Sequence, residues 1–251
     1  MRWLTPSDLE FYRENGWIIV DGALNVDVAT LQNYVTEIAR WDSTGEWLHH
    51  HERTEHGPQL ARTENFTPFH EGMRALLREG ALVEIAGELL GEPAVLYKEK
   101  INYKLPSGAG FSPHQDKPAY PFVDRILSVM VAVDDSTVEN GCLEVVDSRH
   151  QAVLEQDERG CIAPAVVAAM TWHHVPLRAG QTLFFDALTP HRSSRNATSH
   201  PRRALYPTYN AASEGDLREK YYAEKQRTFA HESADSRVRL SLIGDFEGIP
   251  V

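Results

Sequence analysis

In the stretch GFSPHQDKPAY, residues 110–120, a histidine, His114, and an aspartate, Asp116, stand two residues apart, with Pro113 and Pro118 on either side. On an extended segment, residues i and i+2 point the same way. One imidazole nitrogen and one carboxylate oxygen can then reach a single cation. A third ligand is on offer 75 residues beyond Asp116: His191, in FFDALTPHRSSRN, just past a strongly apolar run. Two histidines and one carboxylate on one face of a metal are the ligand set of non-haem Fe(II) centres, which keep their other positions open for a cosubstrate and oxygen. A His-x-Asp pair alone is a weak signal, and an isolated histidine is more often structural. Arg202, eleven residues beyond His191, strengthens the set, because it opens another apolar run, ALYPTY. An oxygenase that uses 2-oxoglutarate must hold a distal carboxylate, and arginine does this with a planar, charge-assisted, bidentate pair. A solvated basic turn accounts for Arg192 and Arg195 but less well for Arg202.

These residues need a scaffold. The chain has 251 residues, 42% hydrophobic and 24% charged, enough for one sizeable core. Thr5, Pro6 and Asp8 predict a helix over 6–15 that Gly16 stops. A short strand at 17–20 and a helix over 26–40 follow. Residues 41–60 read as irregular and histidine-rich, and two helices are expected at 71–78 and 81–90. From Gly91 the pattern changes to short strands at 94–105, 125–133, 142–146, 172–177, 181–187 and 204–210, punctuated by Gly, Pro, Asn and Asp. A helix over 216–226 and a polar tail complete the chain. Helices first and strands later predict an α+β protein with a β-sandwich or barrel core.

A net charge of -11 and no strong basic run argue against a nucleic-acid partner. The longest apolar run, near 163–170, is far too short to cross a bilayer. Cys142 and Cys161 form no CxxC and no disulfide framework, which suits a reducing compartment. With no secretory signal visible, the expectation is a soluble cytoplasmic protein. The sequence leaves the oligomeric state open.

Together, LTPSDLEFYRENGWIIVDGAL, INYKLPSGAGFSPHQD, DDSTVENGCLEVVDSRH and LFFDALTPHRSSRNATSHPRRAL resemble the phytanoyl-CoA dioxygenase family of Fe(II)- and 2-oxoglutarate-dependent oxygenases. The resemblance spans most of the chain to about residue 210. It implies a double-stranded β-helix, or jelly-roll, core with helices packed outside. The expected layout is a single domain over 1–251: a helical part over 1–92, the jelly roll over 93–210 and an extension over 211–251. The resemblance implies Fe(II) held by His114, Asp116 and His191, with 2-oxoglutarate held by Arg202 and O2 as co-reactant. Where family members often carry a Pro-Gly-Ser-His turn, this chain has residues 146–150, a departure in a turn rather than at the metal. Related halogenases resemble the pattern with a small residue in place of the carboxylate, so Asp116 favours hydroxylation.

Other residues carry weaker signals. Lys98, Lys100, Asn102 and Lys104 share one strand face, opposite Glu99, Ile101 and Tyr103. Asn102 and Ser193 are candidates for contact with 2-oxoglutarate, although a solvated polar face explains Asn102 equally well. Asn65, Lys100, Tyr103 and Tyr120 are substrate-side candidates. Lysines 98, 100, 104 and 117 would suit an anionic substrate. His49, His50 and His51, with His56 nearby, could hold a second metal, but a polar loop explains them better. Glu139-Asn140-Gly141 reads as a turn. The expected substrate is a small polar metabolite such as an organophosphonate or amino-acid-like compound. Two other classes remain open: a redox-inert cupin-like metal enzyme, an isomerase or hydrolase, and a non-catalytic small-molecule binding barrel. Arg202 argues against the first and the complete triad against the second.

Overall fold

The computed structural model describes residues 3–42, 45–55, 57–147, 151–233 and 240–251. Thr5 caps helix α1 (Pro6–Asn15) in a reciprocal box with Asp8, and Gly16 ends it in the left-handed conformation. Strand β1 (Trp17–Val20) follows. Helix α2 (Val28–Ile38) starts later than its apolar spacing predicts, because Asp27 is its cap.

The segment expected to be irregular builds a hairpin instead, β2 (Leu48–Thr54) and β3 (Gly57–Glu64). Its alternation is hard to see, since histidines rather than aliphatic residues fill the half-buried positions of β2. His56 lies outside the described residues.

Helices α3 (Glu71–Arg78) and α4 (Ala81–Leu90) fall where periodicity places them. Strand β4 (Ala94–Asn102) stops short of its expected end because Lys104 turns the chain at φ 28°. There follow β5 (Phe111–His114), β6 (Ile126–Ala132), β7 (Leu143–Val145), the single-turn α5 (Pro164–Val167), β8 (His173–Val175), β9 (Thr182–Asp186), β10 (His191–Ser193) and β11 (Ala204–Ala211). Helix α6 (Arg218–Ser233) runs well past residue 226. No helix among the described residues is long and apolar enough to cross a membrane.

The strands form two antiparallel sheets, one ordered β1-β9-β6-β11-β4-β3-β2 and the other β5-β10-β7-β8. The large sheet is covered on both faces, which is why β6 is apolar along its whole length rather than alternating. Val129 and Val131 face the helices and join Leu31, Val35, Leu76 and Ile85 in one core. Met130 and Ala132 face the small sheet and pack with Leu143, Val145, Leu183 and Phe185 in a second. Alternation along β4 follows the same logic. Glu99 and Ile101 point toward the helices, so Lys98, Lys100 and Asn102 point between the sheets. Lys98 and Asn102 are buried, so this face is not the solvated one that its charge suggests.

Candidate active site

Strands β5 and β10 are antiparallel neighbours with His114 directly opposite His191. Directly paired residues project to the same face, so this register brings two histidines from distant parts of the chain together. Their rings lie 4.1 Å apart, centroid to centroid. Each Nδ1 faces a backbone carbonyl, Ser112 O at 2.7 Å and Thr189 O at 3.0 Å. A protonated Nδ1 donates there, which turns both Nε2 atoms toward a shared point, with Asp245 Oδ2 3.4 Å from that of His114. Burial, reinforced by His114, pushes His191 down to about 4, so it is neutral at physiological pH, as a ligand must be.

Asp116 arrives differently from the sequence expectation. Strand β5 ends at His114, and Asp116 has helical dihedrals at the start of a one-turn 3-10 helix, Lys117–Ala119. The turn, not an extended backbone, aims the carboxylate. Burial alone would raise the Asp116 pKa, but His191, Lys100, His114 and Lys98 together hold it below the usual carboxylate range. The Ser128 hydroxyl donates to Oδ2, and the Tyr120 hydroxyl donates to Oδ1 at 3.3 Å. His114, Asp116 and His191 are all buried, and one ligand atom from each lies within 4.8 Å of the others. They are the one such cluster found among the described residues. Two imidazoles and one ionised carboxylate fit a non-haem iron.

A group of cations lies off one side of the triad. Arg202, 1% exposed, donates to Gly141 O at 2.6 Å and to the Tyr206 hydroxyl at 3.3 Å, and its Nε has no partner. Lys104 donates to Ser193 Oγ at 2.8 Å, Ser194 O at 2.5 Å and Gly141 O at 3.3 Å. No carboxylate among the described residues is in ion-pair reach of either. Burial, and then Arg202, push Lys104 well below its usual value. Gly141 sits at φ 76°, and a Cβ there would meet Ser194 O at 2.2 Å. The turn expected at 139–141 therefore also presents a carbonyl shared by both cations.

Beside Asp116 lies a chamber of about 10 Å³, faced by Arg62, Lys98, Lys100, Tyr120, Tyr221 and Asp245. Residues 240–246 form a strap over it. Arg62 Nη1 donates to Leu240 O at 2.9 Å and Ser241 Oγ at 3.0 Å. Ser112 N–H donates to Asp245 O at 2.7 Å, and Asp245 Oδ2 lies 3.4 Å from His114 Nε2.

Other sequence candidates sit elsewhere. Asn102 accepts from Arg62 Nε at 2.9 Å and so positions that arginine. Tyr103 pairs with Thr63 Oγ1 at 2.9 Å and packs in the helix-facing core. Asn65 accepts from Arg218 and donates to Glu46 O. Lys117 turns toward Val123 O and Asp124. His49 places its two ring nitrogens against Thr63 Oγ1 and Trp41 O. Sequence reasoning missed Ser128, Arg62 and Asp245. The interior-facing parity of Ser128 on β6 was the one available signal; the other two come from a hairpin and a tail that carry no motif.

The comparisons with known proteins agree with this geometry. The sequence model of phytanoyl-CoA dioxygenase (PhyH) matches residues 12–204. The chain belongs to the phytanoyl-CoA dioxygenase family. It is 44% identical to a methylphosphonate hydroxylase of Gimesia maris, over 98% of this chain and 97% of the relative. It is 33% identical to a 2-aminoethylphosphonate dioxygenase of uncultured bacterium HF130_AEPn_1, over 93% and 92% of the two chains. The crystal structure of EctD from S. alaskensis with 2-oxoglutarate and 5-hydroxyectoine superposes with a TM-score of 0.74 at 22% identity, covering 84% of this chain and 77% of that one. The double-stranded β-helix fold follows. As a member of the phytanoyl-CoA dioxygenase family, the protein is an Fe(II)- and 2-oxoglutarate-dependent dioxygenase of the hydroxylase type, acting on a small molecule with O2.

Proposed function

We propose that this dioxygenase hydroxylates a small organophosphonate, in the cytoplasm. The observation that carries the substrate class is the near full-length similarity to the methylphosphonate hydroxylase; the 2-aminoethylphosphonate relative supports the same class. Two free, buried cysteines suit a reducing compartment. We assign Fe(II) to His114, Asp116 and His191. The distal carboxylate of 2-oxoglutarate goes to Arg202, Lys104 and Ser193, a cationic group whose buried charges otherwise face only neutral oxygens. Bound iron supplies oxygen activation coupled to decarboxylation of 2-oxoglutarate, with succinate and CO2 as coproducts. The chain positions both reactants and keeps His191 neutral.

The function is tested by supplying Fe(II), 2-oxoglutarate and O2 with methylphosphonate or 2-aminoethylphosphonate. Succinate should rise with the phosphonate, and the product should gain one oxygen atom by mass. Succinate that rises with amino acids and with neither phosphonate would overturn the substrate class. The cosubstrate assignment predicts that Arg202→Ala weakens 2-oxoglutarate binding by about 1.5–3 kcal/mol, roughly ten- to a hundredfold. Arg202→Lys keeps the charge but loses the fork, and should fall in between. Calorimetric titration under nitrogen measures both, and unchanged affinity in Arg202→Ala would move the role to another residue.

A further inference from the structure

We infer that Lys98, Lys100 and Arg62 form the subsite that takes the dianionic headgroup of the substrate, an inference that rests on the phosphonate reading above. Two of the three charges, those of Lys98 and Lys100, have no hydrogen bond or ion pair among the described residues. Lys98 is 4% exposed. It lies over the rings of Tyr120, at 4.6 Å, and Tyr221, at 5.8 Å. Lys100, two residues on along the same face, likewise has only the Tyr206 ring, at 5.3 Å. Arg62 is 1% exposed; its Nη1 lies 3.4 Å from Glu64 Oε1, and its Nη2 has no partner. All three line the chamber beside Asp116, next to the reacting centre.

Four cationic side chains, Arg62, Lys98, Lys100 and Lys225, face this chamber against two carboxylates, Asp116 and Asp245. Glu64 sits against both Lys225, at 2.6 Å, and Arg62, at 3.4 Å, and Asp116 is assigned to the metal. What remains is an excess of positive charge, carried by Lys98 and Lys100, in an enclosed place. Burial, and then their mutual repulsion, push Lys98 well below its usual value; burial, and then Arg62, lower Lys100. A dianion between them would reverse both effects. A headgroup with three oxygens also matches three converging donors better than a carboxylate does. Lys104 and Arg202 form a separate group on the other carbonyl-lined side, so the two anions, substrate and cosubstrate, need not compete. The chamber of about 10 Å³ holds no more than a water. The headgroup is larger, so Leu242, Ile243 and Asp245 must lift to admit it.

The test is anaerobic calorimetry of the Fe(II) and 2-oxoglutarate complex with methylphosphonate, 2-aminoethylphosphonate, inorganic phosphate and acetate as probes. Lys98→Met and Lys100→Met keep most of the apolar stem. Each should weaken phosphonate binding about tenfold or more, as expected for loss of a charge-assisted contact, and leave 2-oxoglutarate affinity unchanged. Lys98→Arg should restore most of the loss. Wild-type protein that binds phosphonates, with both variants binding equally well, would overturn the subsite and leave the substrate class standing. Wild-type protein that binds phosphate in a Lys98-dependent way but neither phosphonate would keep the subsite and remove the substrate class. Acetate bound as tightly as the dianions would overturn the selectivity for a double charge. Should Lys98→Met fail to fold, Lys100→Met and Arg62→Lys carry the same comparison.

Discussion

Asp116→Gly is expected to abolish hydroxylation and to weaken Fe(II) binding by more than about a hundredfold, since losing a partner that merely orients a ligand already costs ten- to a hundredfold. Asp116 is the one anionic ligand in the assigned set. Ser128 and Tyr120 both donate to it, and the lysines across the chamber hold it ionised. Glycine removes that charge and leaves two of the three assigned ligands, both histidines. Titration with Fe(II) under nitrogen and product analysis by mass read the two effects separately. As an assigned ligand, the carboxylate would take the position a halide needs. Wild-type enzyme in chloride buffer should therefore add oxygen and no chlorine. The glycine variant could take up chloride without becoming a competent halogenase, because substrate placement is also required. A chlorinated main product from the wild type, or iron affinity unchanged in Asp116→Gly, would remove Asp116 from the centre.

Arg218→Met should lower stability by about 3–5 kcal/mol, the cost of leaving a buried charge without its partner. Glu99 is fully buried on the helix-facing side of β4 and receives Arg218 Nε at 3.0 Å and Nη2 at 2.5 Å. Thr67 N–H and Oγ1 fill its remaining capacity at 3.0 and 2.9 Å. The backbone at Glu99 is also unusual, because Pro207 stands opposite it and has no N–H to give. The Tyr222 hydroxyl, from α6, donates to Glu99 O at 2.8 Å and accepts from Glu99 N–H at 3.1 Å. Loss of Arg218 therefore loosens α6 and the strand that presents Lys98 and Lys100 together. In a domain of this size the melting temperature should fall by roughly 6–20 °C. Adding Glu99→Gln should recover part of the loss, since the stranded charge is then gone. A melting temperature within about 2 °C of wild type would mean that the pair acts like an exposed one.

The elements that sequence alone revealed are those whose pattern is local. Residues 71–78 and 81–90 show helical spacing, and β9 and β11 stand out as apolar runs between turn residues. The clustering of His114, Asp116 and His191 was legible for a related reason: His-x-Asp is local, and His191 follows an apolar strand. The β2–β3 hairpin was not legible, because His49, His50 and His51 hide a half-buried alternation. Lys104 looked like one more residue on a strand face. Its turn at φ 28° directs it to Ser193 instead, and no composition rule signals that. Arg62 and Asp245 reach the chamber from segments 183 residues apart in sequence. Such a meeting is set by tertiary packing, not by any window of the chain.

The strap over residues 240–246 bears on how this barrel diverges. The assigned ligands of iron and 2-oxoglutarate belong to the strands and turns of the two sheets. Leu242, Ile243 and Asp245 face the substrate chamber from a segment outside every named strand, tied down by Arg62, Ser112 and Arg159 through a few hydrogen bonds. Sequence drift in the strap can reshape what enters the chamber while the barrel goes on holding its metal. Selection can therefore tune the part of substrate preference that the strap controls, while the headgroup subsite on β3 and β4 and the oxygen chemistry stay fixed in the barrel.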